Sequence, residues 1–166
     1  ITRDTLTAPV DFLPSLCSLC GIFIPRTVEG FDLSKSWQGK TDAFEQDAIL
    51  TMNFTAEYNY LIDGEEWRGV RTKKYNYSRW LNGKTELFDI QNDPFQTRNL
   101  VDEREMKEVR DKLEKKMQEL MAKRNDEFLP GSEYKNWFDN YRRVIRNAYG
   151  LLGDPEDSPD WSLLTR

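Results

Sequence analysis

The sequence predicts an α+β fold in which an antiparallel sheet of about four strands packs against a long C-terminal amphipathic helix. Two patterns carry this prediction. Short segments rich in β-branched and aromatic residues, separated by turn-length gaps, fill residues 48–90. Apolar residues at steps of three and four then run from about 102 to 124. A short helix precedes the sheet, and 166 residues are enough to bury a core.

Composition limits the partners to expect. The net charge of −5 gives no overall field that attracts nucleic acid, and the absence of histidine removes the commonest general base and transition-metal ligand. No apolar run approaches the roughly 20 residues of a membrane span. The first residues have neither the apolar core nor the cleavage site of a signal peptide, which predicts that the chain begins inside a longer one.

The short helix is predicted just after Val10, where apolar residues lie on most of its sides. Asp11 and Pro14 suit its first turn, and Gly21 suits its end. Such a helix packs onto something larger on nearly every side, so we expect that this helix and the surface loop after it, residues 1–45, do not close into a compact unit by themselves.

Four segments are predicted as strands, at 48–54, 67–72, 75–80 and 85–90. The last three should form an antiparallel meander, because Lys73-Lys74 is a hairpin-length gap and Asn82-Gly83 is a favoured turn. The second strand alternates only partly between apolar and polar residues, which predicts a half-exposed sheet.

The long helix should cover the apolar side of this sheet. Asn92-Asp-Pro94 is a turn that ends the last strand, and Asp102 to Glu105 fits a capping box. The apolar positions that follow are Met106, Val109, Leu113, Met117, Leu120 and Met121. Residues 46–128 are therefore predicted to form one unit of sheet plus helix.

Residues 129–166 are predicted to form an aromatic helix followed by a polar tail. Ser132 suits the start of the helix and Gly150 its end, with aromatic residues along one face. The aromatic density indicates docking against another surface, and the segment from Gly153 to Asp160 is polar and rich in proline.

Cys17 and Cys20 have C-x-x-C spacing, which also occurs in redox and zinc sites. We favour buried free thiols, because both cysteines lie on the apolar helix and a zinc site needs four ligands.

Two further clusters have competing interpretations. Asp89, Asn92 and Asp93 are oxygen ligands of the kind calcium prefers, but a turn explains their spacing better. The basic and aromatic residues of the second and third strands resemble a nucleic-acid-binding sheet, whereas long basic side chains on a solvated face explain them more simply. The basic members are Arg68, Arg71, Lys73, Lys74 and Arg79.

Several motifs in sequence order resemble the C-terminal signature of the sulfatases. The resemblance starts near residue 7 with the V-D-x-x-P segment from Val10 to Pro14 and continues with Gly30-Phe-Asp-Leu33. Trp67 to Tyr77 resembles the family strand R-x-V-R-T-x-x-Y-K-Y, and Glu86 to Ile90 resembles E-L-Y-D-L. Asp93 to Leu100 resembles D-P-x-E-x-x-N-L, and the resemblance ends there.

The resemblance implies a parent hydrolase of sulfate esters that uses calcium and a formylglycine residue in its N-terminal catalytic domain. Formylglycine arises from the cysteine of C-x-P-x-R or C-x-A-x-R, which Cys17 does not match. We therefore expect no cofactor and no catalytic residue in this piece, which would be inactive alone. The resemblance also implies that residues 1–45 are the end of the large α/β domain and that residues 46–128 are the C-terminal subdomain of sheet plus helix. The role of this piece would be to complete the fold and border the substrate cleft, with a sulfated small molecule or glycan as the parent's substrate.

Four residues depart from the pattern that the chain resembles: Ser15 stands for Thr, Asn76 for Lys, Phe88 for Tyr and Gln96 for an acidic residue. No substrate role is therefore carried over to Asn76. Arg71 matches the arginine before the threonine of the family strand, and it is the one candidate substrate-binding residue.

The alternative is an autonomous glycan- or polyanion-binding module that uses its aromatic and basic sheet. A piece of a sulfatase should expose apolar surface and form oligomers through it, whereas a module should be monomeric and bind a heparin-like ligand in a salt-dependent way. The resemblance leaves the parent's compartment open among periplasmic, secreted and lysosomal.

Overall fold

The structure, a computed structural model, describes residues 2–53, 65–138, 140, 146–147 and 150–151. The chain divides into one compact unit that extends to Ile49 and a second that begins at Leu50. None of the helices in these described ranges is long and apolar enough to cross a bilayer.

The first unit contains the predicted short helix. A 3-10 turn at Pro9–Asp11 leads into α1, Phe12–Leu19, and a single-turn helix, α2, follows at Ser34–Trp37. Gly21 follows α1 with φ +67, a left-handed conformation that glycine adopts without steric cost, and this explains why the helix ends there.

The apolar residues of α1 and its flanks are largely exposed in this unit. Leu13 and Leu16 have more than half of their surface accessible, at 56% and 51%. The other exposed large apolar residues of the first unit are Val10, Phe12, Leu19, Ile22, Phe23, Phe31 and Phe44. So many exposed large apolar side chains in one unit are typical of a protein that packs against another surface.

Both cysteines are free thiols, as the sequence indicated, but their predicted burial is wrong. Cys17 is partly exposed and Cys20 is exposed. Burial was inferred from the apolar character of α1, and the outward position of its apolar side chains explains the difference.

The second unit is built on a four-stranded antiparallel sheet in the order β1-β2-β3-β4. Its strands are β1, Ile49–Asn53; β2, Trp67–Arg71; β3, Tyr75–Trp80; and β4, Thr85–Asp89. The predicted meander is confirmed, because β3 pairs antiparallel with both β2 and β4. In the register, Val70, Tyr77 and Leu87 lie side by side across three strands, and each is almost fully buried.

The long helix is confirmed at α3, Lys107–Ala122, after a 3-10 turn at Arg104–Met106. It packs on β2 and β3 and buries Leu113, Met117, Leu120 and Met121. The predicted capping box is wrong, since neither helical start has a side-chain cap hydrogen bond. The 3-10 turn takes the place of a capped first turn.

The opposite face of the sheet is less open than predicted. At its centre Gly69 and Ser78 are buried, whereas Arg71 at the end of β2 is exposed. A Cβ on Gly69 would lie 2.7 Å from the Tyr77 carbonyl oxygen and 2.8 Å from the Thr51 hydroxyl oxygen. Only glycine fits this position, because the neighbouring strands approach it so closely.

The predicted aromatic helix is wrong in the described part of residues 129–166. A 3-10 helix forms at Gly131–Trp137, and two short antiparallel strands follow as β5, Arg146–Asn147, and β6, Gly150–Leu151. The Gly131 N–H donates to the Glu66 carboxylate, so a tertiary contact directs this segment. The predicted polar tail from Gly153 lies outside the described residues.

Candidate functional site

Arg71, the candidate substrate-binding residue, is the last residue of β2. Its side chain is exposed and makes no hydrogen bond or ion pair with the residues that the structure describes. Asn76 of β3 lies directly opposite it in the register. Arg71 is therefore a cation at the end of the sheet whose nearest cross-strand neighbour carries no charge.

Asn76 and Gln96, two of the residues that depart from the sulfatase pattern, contact each other. The Asn76 side-chain amide donates to Gln96 Oε1 over 2.7 Å. Gln96 has φ +53, so this bond holds a residue in a conformation that most side chains avoid. A lysine and an acidic residue at these positions would form an ion pair, and this chain has a neutral amide pair instead.

The loop after β4 is closed by its own acidic residues. Asp89 Oδ1 accepts from the backbone N–H groups of Gln91 and Asn92, as the predicted turn requires. Asp93 Oδ2 accepts from the N–H groups of Thr97 at 2.7 Å and Arg98 at 2.9 Å. The Arg98 N–H is the main cause that holds the pKa of the Asp93 carboxyl below its usual range.

The described residues do not fit the calcium ion that sulfatases use, and neither Cys17 nor Cys20 begins the C-x-P-x-R or C-x-A-x-R motif from which formylglycine arises. In the described part of the chain, no group of three or more His, Cys, Asp or Glu side chains is placed to hold a metal ion. The carboxylates of Asp89 and Asp93 are already engaged by the turn. No chemical step is therefore assigned to either group here.

The asparagine and leucine that end the signature seal the outer edge of the sheet. Asn99 Oδ1 accepts from the Leu87 N–H over 2.9 Å, and the Leu100 N–H donates to the Leu87 carbonyl over 2.7 Å. Both backbone groups of Leu87 on the open side of β4 are thus satisfied. This explains the fixed distance between the β4 motif and the Asn-Leu pair.

The basic strip is the set of basic residues on the second and third strands and the turn between them, namely Arg68, Arg71, Lys73, Lys74 and Arg79. Arg68 is buried and does not face solvent. Its guanidinium donates to both carboxylate oxygens of Asp126, at 2.5 and 3.0 Å, and to the Tyr134 hydroxyl at 2.9 Å. Its central carbon also lies 4.8 Å from the centre of the Phe128 ring. Burial alone would lower the pKa of Arg68, but the Asp126 carboxylate outweighs it and raises that pKa.

Arg79 lies on the same face of the sheet as Arg68. Its Nε is 3.3 Å from the Glu114 carboxylate, and its guanidinium is 5.5 Å from the Phe128 ring centre. Lys74 projects from the hairpin turn over the ring of Tyr75, at 5.0 Å. The structure does not gather the basic strip on one exposed face, so neither the nucleic-acid sheet nor the solvated-face interpretation holds for Arg68.

The motif of the first unit is also a structural device. Asp11 is buried and accepts from the backbone N–H groups of Ala8 at 2.7 Å and Phe31 at 2.9 Å, and from the Gln46 side-chain amide at 2.7 Å. The Ser15 hydroxyl accepts from the Leu33 N–H at 2.8 Å, a bond that threonine would also make.

Sequence reasoning missed the Arg68 and Asp126 pair. The inward position of Arg68 beside Val70 was the available signal, since residues two apart on a strand share a face. Asp126 lies 58 residues away, and nothing in the sequence marks it as the partner.

The family described as "N-sulphoglucosamine sulphohydrolase, C-terminal" matches residues 1–123 of the chain. Among curated relatives, the ulvan-active sulfatase of Formosa agariphila is 35% identical over 130 residues, which are 75% of this chain and 24% of that protein. The chain spans about a quarter of the length of the curated relatives that it matches.

Solved structures share the fold. A glycosaminoglycan 2-O-sulfatase aligns with a TM-score of 0.61 at 21% identity, over 87% of this chain and 30% of that one. The phosphonate monoester hydrolase of Agrobacterium radiobacter aligns with a TM-score of 0.58 at 19% identity, over 73% and 26%. The fold alone therefore does not select the ester that is cleaved. The family match does identify the domain: this chain belongs to the N-sulphoglucosamine sulphohydrolase C-terminal family, a C-terminal domain of sulfatases.

Proposed function

We propose that this chain acts as the C-terminal portion of a sulfatase, a hydrolase of sulfate esters, in which it completes the fold and borders the substrate cleft. The match of residues 1–123 to a sulfatase C-terminal family is the observation that carries this proposal. The signature residues support a scaffold role, because Asp11, Asp93 and Asn99 all bond to backbone groups. The reactive groups, including calcium and formylglycine, would come from the catalytic portion of the parent.

The partner in this proposal is the N-terminal catalytic domain of the same sulfatase. The exposed apolar side chains of α1 and its flanks support it, since they offer an apolar surface to a packing partner. Residues 1–45 would then complete the large domain, residues 46–128 would form the subdomain, and residues 129–166 would dock beside it. If the chain is isolated, the same surface should drive dye binding and oligomer formation.

Arg71 is the residue that would reach the substrate cleft. It is exposed and has no partner among the described residues, so its guanidinium is available to an anionic ligand. The substrate would be a sulfated glycan or a smaller sulfated sugar, as the name of the glycosaminoglycan sulfatase indicates for that relative.

A chimaera tests the proposal. The segment of the ulvan-active sulfatase that matches this chain is replaced by the chain itself, and sulfate release from ulvan is measured. We expect activity in the chimaera, none in the relative truncated before this segment, and none in the 166-residue chain alone. Sulfate release by the isolated chain would contradict the proposal, and so would a folded but inactive chimaera.

The glycan- or polyanion-binding module remains the competing outcome. It predicts a monomeric chain that binds heparin with strong salt dependence and shows no oligomer formation. Burial of Arg68 and the position of Arg79 against α3 leave this alternative fewer exposed cations than the sequence suggested.

A further inference from the structure

We propose that Arg71 and Phe95 form a subsite for an anionic sugar ring, one that bears a carboxylate or a sulfate, beside the neutral Asn76 and Gln96 pair. The subsite rests on the proposed function, because it would hold a sugar of the substrate in the cleft that this chain borders. The subsite would take no part in bond cleavage, because Arg71 would bind the charge of the sugar and Phe95 would pack on the apolar face of its ring.

The neutral pair is what leaves Arg71 available. Directly opposite residues on antiparallel strands have Cβ atoms about 5 Å apart, so Arg71 and Asn76 are within reach of each other. The Asn76 amide is engaged by Gln96 at 2.7 Å, and neither residue carries a charge. A carboxylate at position 96 would neutralise the guanidinium, whereas the amide leaves its planar fork for an external carboxylate or sulfate.

Arg71 is held at a fixed point. The Thr72 N–H donates to the Tyr75 carbonyl over 2.8 Å, and the Thr72 hydroxyl accepts from the Tyr75 N–H over 2.8 Å. The hairpin turn therefore closes immediately after Arg71. The backbone at Arg71 is therefore already ordered, and binding of a ligand costs less conformational entropy there than it would at a residue in a mobile loop.

Phe95 supplies an aromatic ring on a loop of defined conformation. Its side chain is 87% exposed, the highest value among the large apolar residues that are described as exposed. Asp93, two residues before Phe95, accepts a hydrogen bond from the Thr97 N–H, two residues after it. Gln96, the next residue, accepts a hydrogen bond from the Asn76 side-chain amide. An exposed aromatic next to a fixed polar pair is the combination that lines small-ligand sites, and one face of a sugar ring is apolar enough to stack on it.

Lys74, in the same hairpin as Arg71, provides an internal control for non-specific attraction of a polyanion. The Lys74 ammonium lies 5.0 Å from the centre of the Tyr75 ring and is a hydrated point charge without a planar fork. General attraction of a polyanion to the hairpin would depend on Lys74 as much as on Arg71. A built subsite would depend on Arg71 and Phe95 and much less on Lys74.

The test measures binding of a heparin tetrasaccharide to the 166-residue chain by calorimetry, with maltotetraose as the uncharged probe. We expect Arg71→Ala to weaken heparin binding about tenfold, the loss that a charge-assisted hydrogen bond implies. Arg71→Lys should lose nearly as much, because it keeps the charge but not the fork. Phe95→Ala should weaken binding about threefold to tenfold, and maltotetraose should not bind.

Two control variants remove the same charge elsewhere. Lys74→Ala and Arg104→Ala, both at exposed positions, should change the dissociation constant by less than about twofold. Equal losses in Lys74→Ala and Arg71→Ala would overturn the subsite in favour of non-specific attraction, and so would unchanged binding in Phe95→Ala.

Exchange of the neutral pair gives a second test. Gln96→Glu alone should weaken heparin binding about as much as Arg71→Ala, because the new carboxylate engages Arg71. Adding Asn76→Lys should restore binding, since Lys at 76 takes the carboxylate and frees the guanidinium. Failure of the double variant to recover, with its unfolding midpoint unchanged, would overturn the role of the pair.

The outcomes separate this subsite from the proposed function. An active chimaera with heparin binding that ignores Arg71 overturns only the subsite. An inactive chimaera with Arg71-dependent binding overturns the proposed function, and it leaves Arg71 and Phe95 as a glycan-binding site of the alternative module.

Discussion

The two units of the chain satisfy their side chains in opposite ways. In the second unit, α3 buries its apolar stripe against the sheet, and even the buried guanidinium of Arg68 has a carboxylate partner. In the first unit, the buried polar groups of Asp11 and Ser15 are bonded, whereas α1 leaves Leu13 and Leu16 about half exposed.

This difference indicates how far the stability of each unit depends on a packing partner. The second unit contains both sides of its core, so its stability should be a property of this chain. The first unit fixes the shape of its loops with hydrogen bonds and offers apolar surface outward, so its stability should rise when that surface is covered. Four experiments test the contrast, from the largest expected effect to the smallest.

Arg68→Met should have the largest effect on the second unit. It leaves the buried Asp126 carboxylate and the Tyr134 hydroxyl without their donor, which costs about 3–5 kcal/mol when a buried ion pair is broken. Urea unfolding measures the loss. The double variant Arg68→Met with Asp126→Leu should recover much of it, because it also removes the unpaired carboxylate. No recovery would show that the loss comes from the missing contacts of Arg68 and not from the unpaired charge.

Truncation of one apolar residue in each helix compares α3 with α1 directly. Met117 is fully buried on α3, so Met117→Ala should lower the free energy of unfolding by about 2–5 kcal/mol. Leu16 is half exposed on α1, so Leu16→Ala should change the free energy of unfolding by no more than about 0.5 kcal/mol. The same variant should bind less hydrophobic dye. Equal losses would show that the outward surface of α1 is part of this chain's own core.

Asp11→Ala examines the polar side of the first unit. It removes the acceptor of three hydrogen bonds, two of them from backbone N–H groups, and should cost about 2–3 kcal/mol. Amide hydrogen exchange at Phe31 provides a local readout, because its N–H loses its partner. A protected Phe31 amide in the variant would contradict the assignment.

The Tyr77 phenol should make the second unit sensitive to alkaline pH. Burial, followed by its hydrogen bond to the Glu114 carboxylate, raises the pKa of Tyr77. The unfolded chain ionises this group near pH 10, and the folded chain does so only at higher pH. Its contribution to stability is therefore complete below about pH 10 and is lost as the pH rises through the folded pKa.

Comparison of the natural chain with Tyr77→Phe isolates this contribution. Between pH 8 and pH 10.5 the natural chain should lose up to about 1 kcal/mol more of its unfolding free energy than the variant. Urea midpoints at the two pH values give the difference. Equal losses in both proteins would assign the alkaline sensitivity to other groups.

Local periodicity explains what the sequence predicted correctly. The predicted strands at 67–72 and 85–90 match Trp67–Arg71 and Thr85–Asp89 to within a residue, because turn residues bound them. The stripe of α3 was read from its three- and four-residue steps, which depend on helix geometry alone. The turn at Asp89 and Asp93 followed equally from short-range side-chain bonding.

Long-range contacts explain what the sequence did not predict. Glu66 and Arg68 bind the chain near Gly131 and Tyr134, and these contacts override the helical pattern of that segment. The contact between Asn76 and Gln96 also joins the start of β3 to the loop after β4, across 20 residues of sequence. Neither residue pair has a spacing that any local rule recognises. The sequence could therefore propose Arg71 as a candidate, which stays a prediction, but it could not predict the contacts that surround Arg71.

The bonds from Asn99 and Leu100 to Leu87 set a limit on growth of the sheet. Because β4 is closed to new neighbours at its midpoint, an intruding strand would have to displace two bonds before it gained any. Edge-to-edge pairing of two copies through β4 is therefore discouraged, and this edge is a poor place for an added strand.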